Sequence, residues 1–515
     1  MMKSAKIRVL VMLAVCLTTL GLRAQAAGTS PCNTKGGVRF NLEPRANAVF
    51  QNGPQADFIL NGAGPGDDLI VQTANDWRGA FASPTWDNSI SGYYVHSSNT
   101  ADCSVQFEGG LPNLVGTLGQ GNSVVTADSV RNAFFVATDT CGNGCGGFIV
   151  YRASAADLLN PIICPPGTQL QAQAVSCWEQ TPPAYLDQNS GNPIIELGMG
   201  VDERATGTGA GDVYVAYSDI NLYLTACTNS SLSCSSPVTL FTFNENNSNS
   251  NQFPSVQVRP DGVITIAYAG GSYPSPASIF FVTCTPAGAP NPPVCQPPVT
   301  VATLQNPIAP ALNLGNINLD YTGDPLYPKI ANRSEGNGQF TTFLIYDECN
   351  NPYLDQPAPV FQLNRNCLNS VVNMAFSQDG GQTWSTPSPI TSPVPALNFF
   401  SSMTNDASTG TVSIAYYSTE GDLFFRKVRV LLSQIAPGST TVGPAKVITA
   451  FTPIDTDIGE DASASEDWMM GAIAHGTGTP GESHLYLSFE SEIVNGTYNN
   501  EPLPDLNNFI ELITY

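Results

Sequence analysis

Ser377-Gln378-Asp379-Gly380-Gly381-Gln382-Thr383-Trp384 follows the apolar run Val371-Val372-Asn373-Met374-Ala375-Phe376 and precedes Ser385-Thr386-Pro387. The pattern predicts a strand, a tight turn at Asp379-Gly380-Gly381 and a return strand opened by Thr383 and Trp384. A carboxylate at Asp379 can accept hydrogen bonds from the backbone N–H groups of the turn it heads. Gly380 and Gly381 permit positive φ without a Cβ clash. Trp384 offers a large apolar face to tuck beneath the hairpin.

The same two-strand unit recurs along the chain, as an apolar run, a turn of Asp, Gly or Asn, and an alternating run. Its instances start at Asp57, Ser123, Ile194, Pro254, Pro328, Phe399 and Trp468, which makes seven copies. Each is followed by a further strand, such as Tyr93-Tyr94-Val95, Leu222-Tyr223-Leu224, Val372-Asn373-Met374-Ala375, Leu423-Phe424-Phe425 or Phe509-Ile510-Glu511-Leu512. With 46 glycines, 40 prolines and only 12% charged residues, and with almost no helical periodicity after residue 26, the composition is that of an all-β protein. The expected fold is a seven-bladed β-propeller of four-stranded blades, with six blades as the alternative. Gly37-Val38-Arg39-Phe40-Asn41-Leu42 is positioned to close the last blade, which would remove the open edges of the array.

Residues 1–26 read as a secretory signal peptide: Lys3, Lys6 and Arg8 precede the apolar core Val9–Leu20, and Ala24-Gln25-Ala26 offers a cleavage site. Residues 27–515 then form a single propeller domain in a secreted or periplasmic protein with no membrane span. The net charge of −23 becomes about −27 once the signal leaves with four basic residues and no acid, and a polyanion such as nucleic acid would be repelled. Of thirteen cysteines, Cys16 lies in the signal and twelve remain. In an exported protein these predict up to six disulfides. Cys141/Cys145, Cys164/Cys177, Cys227/Cys234 and Cys284/Cys295 are close pairs; Cys349/Cys367 would close a longer loop and leave Cys32 with Cys103.

The spacing Ser377-x-Asp379-x-Gly381-x-Thr383-Trp384 resembles the Asp box of the sialidase/BNR-repeat superfamily, whose members are β-propellers. In that family the Asp box is an element of the fold, remote from the active site. What the resemblance implies for catalysis is a clamp of three arginines on the substrate's carboxylate, an Asp acid/base and a Tyr–Glu nucleophile. The family's N-terminal Arg-Ile-Pro motif is absent, and Arg39, Arg45 and Arg78 lie in other contexts.

Strand order puts the first-to-second and third-to-fourth turns on one face of the disc and the longer connections on the other, where binding residues belong. The long-loop face holds Arg45, Asp76, Trp77, Arg78, Trp86, Tyr321, Asp347, Glu348, Tyr353, Arg365, Asp467 and Trp468. Asp76, Asp347, Glu348 and Asp467 are candidate carboxylates for glycosidic hydrolysis, with Arg45, Arg78 and Arg365 as candidate anion ligands. Trp77, Trp86, Tyr321, Tyr353 and Trp468 could stack on sugar rings or pack between blades. Asp455, Asp457, Glu460 and Asp461 could ligate Ca²⁺ or form a solvated acidic loop. No Gly-x-Ser-x-Gly elbow and no His-Glu-x-x-His is present. These observations favour a binding protein for a glycan or an extracellular protein, with an exo-sialidase-like glycoside hydrolase as the alternative.

Overall fold

In the computed structural model the described residues are 34–36, 51–60, 68–76, 91–97, 105–112, 118–141, 145–165, 167–168, 177–181, 185–186, 196–218, 221–242, 254–270, 278–304, 328–350, 352–354, 365–367, 369–422, 427–453, 471–476, 483–498 and 501–514. They form an all-β propeller. The first sheet runs outward through Gln51–Leu60, Asp68–Asp76, Ser91–Ser97 and Val105–Gly110, with Gly167–Thr168 parallel to its last strand. The second has Leu118–Asp128, Ala133–Cys141 and Cys145–Ser154, the third strand pairing both Glu179–Gln180 and Tyr185–Leu186. Glu196–Val201, Val213–Ser218, Leu222–Cys227 and Val238–Phe241 make the third. The fourth contains Ser255–Val258, Ile264–Gly270 and Ser278–Thr285, the last paired with Val294–Cys295 and Val299–Thr303. The fifth is Lys329–Gly336, Gln339–Cys349, Ser370–Ser377 and Ser388–Pro389. Asn398–Asn405, Val412–Ser418 and Lys427–Ile435 begin the sixth, the third strand pairing Lys446–Val447 and Thr452–Pro453.

The terminal sheet joins the two ends of the chain. Gly471–Gly476, Ser483–Tyr498 and Glu501–Thr514 are completed by Thr34–Gly36, antiparallel to residues 508–510. An N-terminal segment, Thr34–Gly36, supplies this outer strand, and residues 37–42, expected to do so, lie outside the described residues. The first strand of each sheet packs against the next, and the terminal sheet returns onto Gln51–Leu60.

The apolar cores lie between sheets. One unites Leu69, Val71 and Tyr93 with Phe134, Val136 and Ile149. Another unites Phe135, Phe148 and Val150 with Met199, Val213 and Val215. Successive side chains of one strand thus serve opposite neighbours, since strand side chains alternate between faces. Val213–Ser218 and Ile264–Gly270 are buried throughout for this reason, so they read as unbroken apolar runs. The sixth sheet's third strand is Lys427–Ile435, with Val428, Val430 and Leu432 buried, and Leu423-Phe424-Phe425, expected as that strand, lies outside the described residues. A short helix, Ala155–Leu158, also appears, capped by Ser154 Oγ accepting from the Asp157 N–H at 3.0 Å.

Candidate functional site

The Ser377–Trp384 turn is held by its own side chains. Asp379 Oδ1 accepts from the Gln382 and Thr383 N–H groups at 3.0 and 2.9 Å, and Oδ2 accepts from Thr383 Oγ1 at 2.6 Å. The Gly381 N–H donates to Ser377 Oγ at 2.9 Å. The Thr383 hydroxyl and N–H, with the donors from Ser377 and Gln382, hold the Asp379 carboxyl down at about 2. Gly380 and Gly381 adopt φ of 77° and 91°. Trp384 packs edge-on to Phe281 of the neighbouring sheet with centroids 5.0 Å apart, while its Nε1–H donates to Gly381 O at 3.1 Å.

This end of the disc is closed by arginines that reach from sheet to sheet. Arg131 pairs with Asp128 at 2.9 Å and donates to Arg204 O at 2.8 Å. Arg204 pairs with Asp202 at 2.6 Å and donates to Asp261 O at 3.0 Å. Arg259, paired with Asp261, lies 4.5 Å over the ring of Phe340. Arg333 is 2% exposed, pairs with Glu335 at 2.7 Å and donates to Ala436 O and Ser439 O at 3.1 and 2.8 Å. Glu203, between Asp202 and Arg204, joins the same network, its Oε1 accepting from the Ser129 N–H at 2.9 Å. Sequence reading missed that the device repeats. Its signal is an acid and an arginine two or three residues apart in four consecutive first-to-second turns: Asp128/Arg131, Asp202/Arg204, Arg259/Asp261 and Arg333/Glu335.

Cysteines reinforce the same part of the fold. Cys227–Cys234 and Cys284–Cys295 bridge third-to-fourth connections, as expected from their spacing, and Cys164–Cys177 bridges the corresponding connection of the second sheet. Cys141 and Cys145 are register partners across a hairpin. Cys32, Cys103 and the side chains of Cys349 and Cys367 lie outside the described residues. Where the terminal sheet meets the first, buried Asp68 accepts from Tyr486 and lies 2.7 Å from His484 Nδ1.

The opposite end of the fifth sheet holds the candidate site. Gln339–Cys349 rises from the Gly336–Gln339 turn and ends in Tyr346-Asp347-Glu348. Asp347 is 2% exposed and faces the sixth sheet with Phe343 and Ile345. Its Oδ1 accepts from Ser401 Oγ at 2.7 Å and its Oδ2 from the Ser401 N–H at 3.2 Å. Burial pushes its carboxyl up to about 7, against the opposing pull of Ser401, the Phe400 N–H and the Lys329 charge. Glu348, the next residue, points to the other side and accepts from Asn373 Nδ2 at 2.8 Å. The strand's alternation therefore separates these candidate carboxylates onto opposite faces.

Among the other predicted site residues, Asp76 ends the second strand of the first sheet, at the same end of the disc as Asp347. Tyr353 and Arg365 lie in the hairpin Pro352–Leu354 with Arg365–Cys367, which grows from the fifth sheet's second-to-third connection. Arg45, Trp77, Arg78, Trp86, Tyr321, Asp467, Trp468 and the Asp455, Asp457, Glu460 and Asp461 set lie outside the described residues. Among the described residues no cluster of three His, Cys, Asp or Glu could hold a metal ion.

No protein-family model matches the sequence, and no curated protein matches it. Solved structures of similar shape include an ulvan-degrading polysaccharide lyase, with TM-score 0.43 and 9% identity over 91% of this chain and 97% of the lyase. The Hadza microbial sialidase gives TM-score 0.40 and 11% identity over 85% and 76% of the two chains. The NanB sialidase of Streptococcus pneumoniae gives 0.37 and 10% over 94% and 70%. The sheets described above, closed by Thr34–Gly36 on the terminal strand, make the fold an all-β propeller.

Proposed function

We propose that the chain is an exported β-propeller that binds a glycan or an extracellular protein through the end of the disc where Asp76, Asp347 and the Tyr353–Arg365 hairpin lie. The observation that carries this reading is the contrast between the two ends. One is closed by short first-to-second turns, by the bonded Ser377–Trp384 turn, by disulfide-bridged third-to-fourth connections and by arginines satisfied by neighbouring sheets. The long connections 77–90, 305–327 and 454–470 leave from the other, and loops on a rigid scaffold are where binding residues concentrate. Trp77, Trp86, Tyr321, Tyr353 and Trp468 are the proposed stacking residues. Asp455, Asp457, Glu460 and Asp461 are the proposed Ca²⁺ ligands.

We read the ring as seven-bladed and the Ser377–Trp384 turn as an Asp box. Support for the count comes from the number of sheets whose first strand packs on the next sheet. Support for the second comes from the bonds made by Ser377, Asp379 and Trp384. Export is supported by the basic-apolar N-terminus and the three bonded cysteine pairs. Among the described residues no helix is long and apolar enough to cross a membrane.

A second reading, glycoside hydrolysis, is favoured by Asp347, because a carboxyl raised to about 7 suits a proton donor. The two readings separate on a panel of fluorogenic glycosides, including a sialoside, assayed with and without Ca²⁺ beside a glycan array. Binding predicts retention without turnover. Cleavage abolished by Arg78→Ala and by Asp76→Asn would replace it with hydrolysis.

A further inference from the structure

At the border of the fifth and sixth sheets a buried acid meets an irregular strand. The Asn398–Asn405 strand slips register between Phe399 and Ser402 against its partner Val412–Ser418. At that bulge Phe400 takes φ of 48°, a left-handed conformation that costs a bulky residue energy and persists only when its surroundings enforce it. The enforcing group comes from the adjacent sheet. The Ser401 N–H and Oγ–H and the Phe400 N–H all donate to the Asp347 carboxyl. Within the fifth sheet Asp347 lies opposite Val372 of the third strand, and the charged group acting on it from the first strand is Lys329. From the sixth sheet's first strand it meets Phe400 and Ser401, which carry no charge.

We propose that the Asp347–Ser401 contact is a proton-operated latch between the fifth and sixth sheets, closed with the carboxyl protonated and loosened when it ionises. A neutral carboxyl loses little by burial. It keeps one oxygen for the Ser401 N–H and can donate its own proton to Ser401 Oγ, whose hydroxyl turns to accept it. Ionisation leaves a buried charge whose three donors and Lys329 offset only part of the lost hydration, so opening toward water becomes the favoured relief. The element that opens is the one already strained, Phe399–Ser402. It stands at the end of the disc assigned above to ligand binding, so the latch makes that face tighter in mildly acidic surroundings than above neutrality. This consequence for ligands rests on the proposed function; the latch itself does not.

Amide hydrogen exchange on the whole protein tests it, following a peptide that spans 397–405 from pH 5.5 to 8.5, corrected for the intrinsic pH dependence of exchange. Val213–Ser218, distant in the ring, is the internal control. Protection of 397–405 should fall at least tenfold from pH 5.5 to a break near 7 and stay level above it while the control stays level throughout, and Asp347→Asn should abolish the step. A step of equal size in Asp347→Asn, or none in the native chain, overturns the latch. Ser401→Ala covers the case in which Asp347→Asn does not fold. Removing a donor to the ionised form should move the break to higher pH, and an unmoved break overturns the proposal. Glycan-array retention measured on the same samples distinguishes the two proposals: a step in exchange with no retention at any pH keeps the latch and removes the binding function.

Discussion

Asp347 and Asp379 belong to one sheet, sit at its opposite ends and have opposite acidities. Asp379 has its carboxyl drawn down to about 2 by donors from Thr383, Ser377 and Gln382. Asp347 also has donors, from Ser401 and Phe400, yet its carboxyl rises to about 7. The difference lies in water. Asp379 is exposed, so solvent and the turn's N–H groups stabilise the same charge together. Around Asp347 the donors must replace hydration that burial has removed, and they fall short. Counting hydrogen bonds alone would give both residues the same acidity. The comparison also separates two uses of an acid in a propeller: an ionised one organises a turn, whereas a neutral one can be enclosed between blades.

The largest effect expected from this contrast is in stability against pH. Because Asp347 binds its proton more tightly folded than unfolded, its contribution is fully present below the ordinary carboxylate range. It is lost as pH rises from about 4 to about 7. The span corresponds to on the order of 4 kcal/mol, at roughly 1.4 kcal/mol per tenfold change in proton affinity. Denaturant unfolding of the native chain and Asp347→Asn at pH 5 and pH 8 should show the variant gaining relative to the native protein at the higher pH. Equal slopes in the two proteins would break the comparison at its buried end. Asp379 has the opposite sign: its contribution is present above the ordinary range and is lost only as pH falls toward about 2.

The next effect concerns the frame around Asp379. Gly381 has φ of 91°, and a Cβ there would lie 2.1 Å from Phe281 Cε1. Gly381→Ala should therefore cost about 3 kcal/mol, from overpacking added to backbone strain. Gly380, with φ of 77° and only Arg259 Nη1 within reach at 3.8 Å, should cost about 1 kcal/mol as Gly380→Ala. Thermal unfolding of the two variants measures the difference, and equal losses would mean that the Phe281 contact contributes nothing.

The turn was legible because its chemistry is local. Ser377, Asp379, Gly381, Thr383 and Trp384 act within eight residues, and the sequence spacing is the hydrogen-bond pattern. The all-β repeat was legible for a related reason, since strands such as Val213–Ser218 carry an apolar signature wherever they stand. Asp347 appeared in the sequence as one acid of a pair with Glu348. Its meaning depends on Ser401, fifty-four residues away on another sheet, and on a bulge that no local pattern marks. The arginine links escaped notice because each looks like an ordinary local ion pair. Only the acceptors Arg204 O, Asp261 O, Ala436 O and Ser439 O, on the next sheet, show them to be one device.

The smallest effect sharpens the exposed end. Thr383 supplies the foremost causes of the low Asp379 acidity, through its hydroxyl at 2.6 Å and its N–H at 2.9 Å. Thr383→Val keeps the shape and the N–H but removes the hydroxyl. Stability near neutrality should fall by no more than about 1 kcal/mol, because the lost bond is exposed and water takes the donor's place. The carboxyl should move up from about 2 toward its ordinary range, read by following the Asp379 side-chain carbon in an NMR titration. A carboxyl that stays near 2 would assign its acidity to the donors that remain, the Ser377 hydroxyl and the Gln382 and Thr383 N–H groups. Asp379 would then be held by Ser377 and the path of the turn, and the hydroxyl at 383 would be dispensable for its charge.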